Sequence, residues 1–115
     1  MTVKIFHNPR CSKSRETLAL LEENAVSPEI VEYLKDVPSA QDIKQLLSLL
    51  NFDSARQLMR TKETIYKELN LKDETSEDAL IDAMVANPKL IERPIVINNG
   101  KAAIGRPPES VLAII

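Results

Sequence analysis

The sequence has one cysteine, one histidine, two glycines, no tryptophan and no long apolar run. One cysteine excludes a disulfide within the chain. One cysteine and one histidine are too few for a cluster of zinc ligands. No apolar stretch approaches the ~20 residues of a membrane span, and the N-terminus has neither the charged nor the apolar region of a signal peptide. We therefore expect a cytoplasmic protein with a free thiol, no bound metal and no membrane contact.

The sequence also lacks a large excess of charge of either sign. The formal net charge is −2 and the isoelectric point is about 5.4. General affinity for nucleic acid or for an anionic membrane needs an excess of positive charge, which this chain does not have. The 115 residues are enough to bury one hydrophobic core, so the sequence predicts a single domain over residues 1–115.

The first third of the chain predicts a strand, a helix and a second strand. An apolar alternating run over residues 3–7 comes first, apolar residues at helical spacing follow from Ser12 onward, and residues 29–33 alternate again. A helix between two strands makes the strands parallel, with a right-handed crossover. Several helices then follow over about 39–88, the first of them opened by a capping box of Ser39 and Asp42.

The last third predicts a β-hairpin and a short helix. Asn99-Gly100 suits a two-residue type I′ turn between the apolar segments 94–97 and 101–104, and Pro107-Pro108 suits a helix start. The resulting order is β-α-β, several helices, then β-β-α. We interpret it as an α/β protein of thioredoxin-like fold, a four-stranded mixed sheet with helices inserted between its two halves.

Cys11 follows a predicted turn, Asn8-Pro9-Arg10, and lies at the junction between the first strand and the first helix. A side chain there faces unpaired backbone N–H groups and the positive end of the helix macrodipole, and Arg10, Lys13 and Arg15 add positive charge nearby. Such surroundings lower a cysteine pKa from ~8.5 to between ~3.5 and ~7.5. A lone cysteine is otherwise most often a small buried apolar residue. The polar, cationic neighbours favour a nucleophile.

Two arginine–proline pairs flank the hairpin. A two-residue turn at Asn99-Gly100 places Arg93 opposite Arg106. Like charges that face each other across strands destabilise a sheet, so the pair suggests two guanidiniums that share an anion. The alternative is that each arginine is a solvated residue at the end of the hairpin.

Three further residues are weaker candidates. In thioredoxin-like folds the proline that starts the third strand is commonly cis and lies against the active-site thiol, so we expect Pro94 beside Cys11. Arg60 ends a predicted helix, where arginine suits the helix dipole in any case. His7 closes the first strand, either as a buried residue bonded to backbone or as a catalytic one.

Taken together, three segments resemble the ArsC family of glutaredoxin-linked arsenate reductases, which also includes the Spx-type regulators. They are residues 7–15, His-Asn-Pro-Arg-Cys-Ser-Lys-Ser-Arg, residues 92–96, Glu-Arg-Pro-Ile-Val, and residues 105–107, Gly-Arg-Pro. The resemblance covers essentially the whole chain, including residues 56–60 and 87–91, and is strongest to the short YfgD-like branch.

The resemblance implies a site and an activity. Cys11 would be the nucleophile, and Arg60, Arg93 and Arg106 would hold an oxyanion. Ser14 would lie near the thiolate, with His7 in support. The implied reaction is the reduction of arsenate to arsenite, with glutathione as external reductant, glutaredoxin as partner and no bound cofactor. Because the chain has no second cysteine, glutathione must attack the arsenic adduct, and glutaredoxin must resolve the mixed disulfide.

Other thiol functions fit the sequence less well. A phosphatase-fold arsenate reductase would have an arginine six residues after Cys11, where this chain has Thr17, and a dithiol oxidoreductase would have a cysteine in place of Ser14. An Spx-like transcription regulator that binds RNA polymerase typically has a redox switch of two such cysteines, and this chain has only Cys11. A monothiol glutathione-dependent oxidoreductase with another substrate stays open as an alternative.

Overall fold

The computed structural model describes residues 3–115, which divide into two compact units. Residues 3–36 and 93–115 form the sheet unit. Residues 37–92 form the helical unit, and the predicted helical insertion lies inside it. None of the helices within residues 3–115 is long and apolar enough to cross a bilayer.

The sheet unit has four short strands, β1 (Lys4–Phe6), β2 (Glu29–Val31), β3 (Ile95–Asn98) and β4 (Lys101–Ile104). They lie in the order β2-β1-β3-β4. Strand β1 is parallel to β2, and the β1–β3 and β3–β4 pairs are antiparallel. Helix α1 (Ser12–Glu23) joins β1 to β2, and a 3-10 helix (Pro108–Ile114) follows β4. This topology confirms the predicted thioredoxin-like fold.

The hairpin register is the predicted one. Ile95 pairs with Ile104 and Ile97 pairs with Ala102, and the turn residues Asn99 and Gly100 have φ values of 54° and 76°. Two positive φ values in succession define a type I′ turn. Three element predictions were wrong in detail: β1 ends at Phe6, so His7 lies just beyond it, β2 stops at Val31 instead of residue 33, and the final helix is a 3-10 helix.

One face of the sheet carries the core of this unit. Ile5 and Val96 point to the face where Leu21 of α1 and Val111 of the final 3-10 helix pack against them. All four side chains are fully buried, and burial of side chains of this size stabilises the fold by ~1.5–3 kcal/mol each. This packing holds α1, and therefore the residues at its N-terminus, in a fixed place on the sheet.

A close approach at Gly105 holds the end of the hairpin against α1. A Cβ atom at this position would lie 2.8 Å from Cγ of Pro94 and closer still to Oγ1 of Thr17. Thr17 is fully buried, and its hydroxyl donates to the carbonyl of Lys13 at 2.8 Å. Because neither neighbour can move away freely, packing requires glycine here.

The helical unit contains α2 (Ala40–Leu49), α3 (Thr64–Glu68) and α4 (Glu77–Ala86), with 3-10 helices at Ala55–Leu58, Leu71–Asp73 and Pro88–Leu90. The predicted capping box opens α2. The Asp42 N–H donates to Ser39 Oγ at 3.1 Å, and the Ser39 N–H donates to Asp42 Oδ2 at 3.0 Å.

The backbone around Arg60 is extended, so the prediction that Arg60 ends a helix was wrong. The preceding 3-10 helix stops at Leu58. The Arg60 N–H then donates to the Leu90 carbonyl at 2.7 Å, and the Glu92 N–H donates to the Leu58 carbonyl at 2.8 Å. This antiparallel pairing joins segments that are about thirty residues apart, which helical periodicity does not detect.

Candidate active site

Cys11 is the N-cap residue of α1, as the sequence predicts, with φ −94° and ψ 124°. Its N–H donates to the Asn8 carbonyl at 3.0 Å, and its carbonyl accepts from the Arg15 N–H at 3.0 Å. The Arg10 N–H also donates to the Asn8 side chain, at 3.0 Å, an interaction that closes the turn before the helix. The backbone that carries the thiol is therefore fixed on both sides.

The surroundings of the sulfur favour the thiolate. Partial burial raises the pKa of Cys11, but the backbone N–H groups of Ser14 and Lys13 and the guanidinium of Arg93 together lower it by more. The net pKa is below that of an ordinary thiol. Helix N-terminal amides and a nearby cation are the two features that stabilise a thiolate in proteins.

Arg93 and Arg106 both reach Cys11. The Arg93 guanidinium is partly buried, and it interacts favourably with the Cys11 thiol and with the buried Tyr33. Burial lowers the pKa of Arg93, but Cys11 and Tyr33 raise it by more. Nη2 of Arg106 lies 3.5 Å from Cys11 Sγ. The two guanidiniums therefore converge on the thiol.

The contact between the two arginines differs from the predicted one. The β3–β4 ladder ends at Ile95 and Ile104, and Nε of Arg106 donates to the backbone carbonyl of Arg93 at 2.7 Å. This hydrogen bond fixes the Arg106 side chain against the Arg93 backbone. Repulsion between the two guanidiniums, and an anion that they share, stay predictions.

Ser14 and His7 form a buried pair beside the thiol. His7 Nδ1 and Ser14 Oγ are 2.6 Å apart, and the Asn8 N–H donates to the same hydroxyl at 3.0 Å. Ser14 is fully buried and His7 is nearly so. The Ser14 hydroxyl is thus engaged with His7 and Asn8, and it is the Ser14 backbone N–H that lowers the pKa of Cys11.

The position of His7 favours its neutral form. Burial lowers its pKa, with a smaller raising effect from Glu32 and a lowering effect from Arg15. A neutral imidazole can accept the Ser14 hydroxyl proton at Nδ1, which would place the ring proton on Nε2. His7 therefore supports the turn through Ser14, and its hydrogen-bond partner is a side chain.

Lys13 and Arg15, two of the cations near Cys11 in the sequence, have partners of their own. Lys13 Nζ lies 3.5 Å from Glu16 Oε2, and Nη1 of Arg15 donates to the Pro9 carbonyl at 3.0 Å. The expected contribution from neighbouring charges is therefore supplied mainly by Arg93, which is 82 positions further along the chain. The predicted effect of the helix N-terminus is confirmed by the backbone N–H groups of Ser14 and Lys13, whereas the charge comes from a residue distant in the sequence.

Pro94 follows a cis peptide bond, and the Arg106–Pro107 bond is also cis. Pro94 is buried, and its carbonyl accepts from the Gly105 N–H at 2.9 Å. Its contact with the thiol stays a prediction.

Arg60 belongs to the helical unit. There its guanidinium forms ion pairs with Glu63 at 3.2 Å and with Glu92 at 3.1 Å. Its part in holding an oxyanion stays a prediction. In the described part of the chain, residues 3–115, no group of three or more histidine, cysteine or acidic side chains is arranged to hold a metal ion.

Comparison with known proteins agrees with this geometry. The family model described as "ArsC family" matches residues 6–114. The chain belongs to the ArsC family. It is 65% identical over 114 residues to the uncharacterized protein YfgD of Escherichia coli strain K12, covering 98% of this chain and 96% of that protein.

Two further relatives of this ArsC chain have names that state an activity. An arsenate reductase of Haemophilus influenzae is 51% identical over 116 residues, with 100% of both chains covered. The solved structure of an arsenate reductase from Vibrio cholerae is 55% identical and superposes with a TM-score of 0.98, covering 100% of this chain and 98% of that one.

Sequence reasoning did not single out two residues of this ArsC site. Asn8 was taken only as part of a turn, yet its side chain, carbonyl and N–H all fix the loop before Cys11. Tyr33 was assigned to β2, yet it lies beyond that strand, buried beside Arg93. The Asn-Pro dipeptide was a usable signal for Asn8, whereas nothing local to Tyr33 indicates a partner 60 positions away.

The lowered thiol pKa gives the first testable prediction. Iodoacetamide reacts with the thiolate only, so the alkylation rate of the folded protein should rise with pH at a midpoint below that of an ordinary cysteine. The same chain in denaturant is the control, because unfolding removes the helix N-terminus and Arg93 from the sulfur. Equal midpoints for the folded and unfolded chains would contradict the site geometry.

The lowered pKa of Cys11 also determines how the free energy of unfolding depends on pH. A thiol whose folded pKa is lowered releases its proton more readily in the native state. Ionisation of Cys11 therefore stabilises the fold at pH values above the ordinary thiol pKa, and this contribution is lost as the pH falls through the folded pKa. Urea unfolding of the wild type and of Cys11→Ser across that range should show a difference that grows with pH.

Proposed function

We propose that this protein is an arsenate reductase that depends on glutathione and glutaredoxin. The observation that carries the proposal is the convergence of the Arg93 and Arg106 guanidiniums on an activated Cys11 thiol. Two planar cations around a nucleophile suit a tetrahedral oxyanion that must be bound and attacked at the same place. The relatives from Haemophilus influenzae and Vibrio cholerae, both named arsenate reductases, support arsenate as that oxyanion.

Substrate binding is mainly electrostatic. Arsenate places negative charge on oxygens that can accept hydrogen bonds from Arg93 and Arg106, and the backbone N–H groups at the start of α1 supply further positive potential. Arg60 is the third arginine that the family resemblance implies. No bound metal or organic cofactor is part of the proposed reaction.

The first chemical step is attack by the Cys11 thiolate on arsenic. A sulfur–arsenic bond forms, and one arsenic–oxygen bond breaks. The leaving oxygen departs as water after it takes up a proton, so one proton is consumed and arsenic stays in its oxidised state. The arginines hold the remaining oxygens of the Cys11 adduct.

The second step reduces arsenic. The thiolate of glutathione attacks the Cys11 sulfur, a disulfide forms between them, and the electron pair of the sulfur–arsenic bond stays on arsenic as arsenite leaves. The two electrons come from the two thiols that become the disulfide. Glutaredoxin then attacks this mixed disulfide on its glutathione sulfur and restores the Cys11 thiolate by thiol exchange.

A reconstituted assay tests the proposal. We expect purified protein to form arsenite from arsenate when glutathione and glutaredoxin are both present, with steady turnover lost when either is omitted. Glutaredoxin with glutathione and arsenate, but without this protein, is the control. Absence of arsenite in the complete mixture, from protein with a normal alkylation profile, would contradict arsenate as the substrate and favour a monothiol oxidoreductase with a different one.

A further inference from the structure

Arg60 is held by two acidic side chains. Its Nε donates to Glu63 Oε1 at 3.2 Å, and its Nη1 donates to Glu92 Oε1 at 3.1 Å. The exposed fractions of the Arg60, Glu63 and Glu92 side chains are 24%, 27% and 24%. Because about three quarters of each side chain is buried, these charges are screened less than those of a surface ion pair.

The two carboxylates leave part of the guanidinium available. An arginine carries five N–H groups, and the two ion pairs use one on Nε and one on Nη1. Neither N–H of Nη2 bonds to any residue of the range 3–115. Arg60 can therefore still donate a pair of hydrogen bonds to an oxyanion while Glu63 and Glu92 hold it in place.

The charge of this trio is the unusual property. An anion that binds Arg60 also meets the carboxylates of Glu63 and Glu92, one side chain away. Coulomb repulsion is proportional to the charge of the incoming ion. The repulsion from these two carboxylates therefore costs a dianion twice as much free energy as a monoanion of the same shape.

We propose that Glu63 and Glu92 make Arg60 selective for the charge state of its oxyanion, favouring the singly charged form over the doubly charged form. The inference rests on the proposed function, because it takes Arg60 as an oxyanion ligand. It goes further by naming two specificity-determining residues and the form of the substrate that they select.

Two tetrahedral ions of different charge test the proposal directly. Binding of sulfate, a dianion, and perchlorate, a monoanion, is measured by calorimetry in the Cys11→Ser background, where no thiolate contributes. Glu92→Gln keeps an oxygen that can accept from Arg60 but removes one negative charge, and Glu63→Gln does the same. If either substitution raises perchlorate affinity about threefold, it should raise sulfate affinity about ninefold, because the logarithm of the gain scales with ligand charge.

Controls separate this effect from general changes in charge. Glu68→Gln removes the same charge from an exposed residue at the end of α3 and should change both affinities by less than about twofold. Arg60→Ala should weaken sulfate binding. Equal gains in affinity for sulfate and perchlorate would overturn the charge selectivity alone. The same holds if neither Glu63→Gln nor Glu92→Gln raises affinity while Arg60→Ala weakens sulfate binding. Unchanged sulfate binding in Arg60→Ala would overturn it together with the place of Arg60 in the proposed function.

Discussion

Replacement of Cys11 by serine should abolish arsenite formation and leave oxyanion binding within about threefold of wild type. The hydroxyl of serine is not ionised near neutral pH and cannot form the sulfur–arsenic bond, whereas the oxyanion is bound by guanidinium and backbone N–H groups that the substitution does not touch. Arsenite release and sulfate binding, measured on the same preparation, check both parts. The fold should persist, because Cys11 makes its cap hydrogen bonds through its backbone.

Two outcomes would contradict this prediction. Turnover by Cys11→Ser at the wild-type rate would place the chemistry at another group. Loss of sulfate binding together with turnover, in a variant with unchanged circular dichroism, would mean that the sulfur itself holds the ligand. Lys13→Gln is a suitable control, because Lys13 is near Cys11 in the sequence but its side chain is paired with Glu16.

Arg93→Ala should have the second largest effect, because Arg93 acts on both the substrate and the nucleophile. Loss of a charged hydrogen-bonding partner costs ~1.5–3 kcal/mol, which corresponds to a loss of oxyanion affinity of roughly tenfold to a hundredfold. The pKa of Cys11 should also rise, since Arg93 is the guanidinium that lowers it. Sulfate binding and the alkylation midpoint report the two effects separately. Arg93→Lys should recover the charge but only part of the binding, because lysine has no planar pair of donors.

Arg106 provides the matched comparison. It approaches the same sulfur at 3.5 Å and also donates to the Arg93 carbonyl. Arg106→Ala should weaken sulfate binding to a similar extent, and the double variant should be less than additive because both guanidiniums bind one ion. Strict additivity would show that the two arginines do not share one ion. An unchanged Cys11 pKa in Arg93→Ala would show that Arg93 acts independently of the thiol.

The sequence predicted those parts of the fold that short-range rules determine. The Asn99-Gly100 turn fixed the register of the hairpin, and the Ser39–Asp42 capping box marked the start of α2. Cys11 was recognised as a helix-capping position because the signals for a strand end, a turn and a helix start follow one another within about ten residues. Each of these features depends on neighbours in the chain.

Features that depend on distant contacts could not be predicted from the periodicity of apolar residues. Arg60 lies in extended backbone because it pairs with Leu90, thirty residues later. The charge that lowers the Cys11 pKa comes from Arg93 instead of the adjacent Lys13 and Arg15, whose partners only the fold reveals. The hydrogen bond from Arg106 to the Arg93 carbonyl is likewise a contact that the sequence did not indicate.

The state of Cys11 during a single turnover tests the central claim most directly. Protein is mixed with arsenate and glutathione, without glutaredoxin, and intact mass and released arsenite are both measured. We predict one arsenite per protein and a mass gain of one glutathione on Cys11, which glutaredoxin then removes. Release of arsenite without attachment of glutathione to Cys11 would contradict reduction through a Cys11 adduct. Attachment of glutathione to Cys11 without release of arsenite, in the presence of arsenate, would contradict it as well.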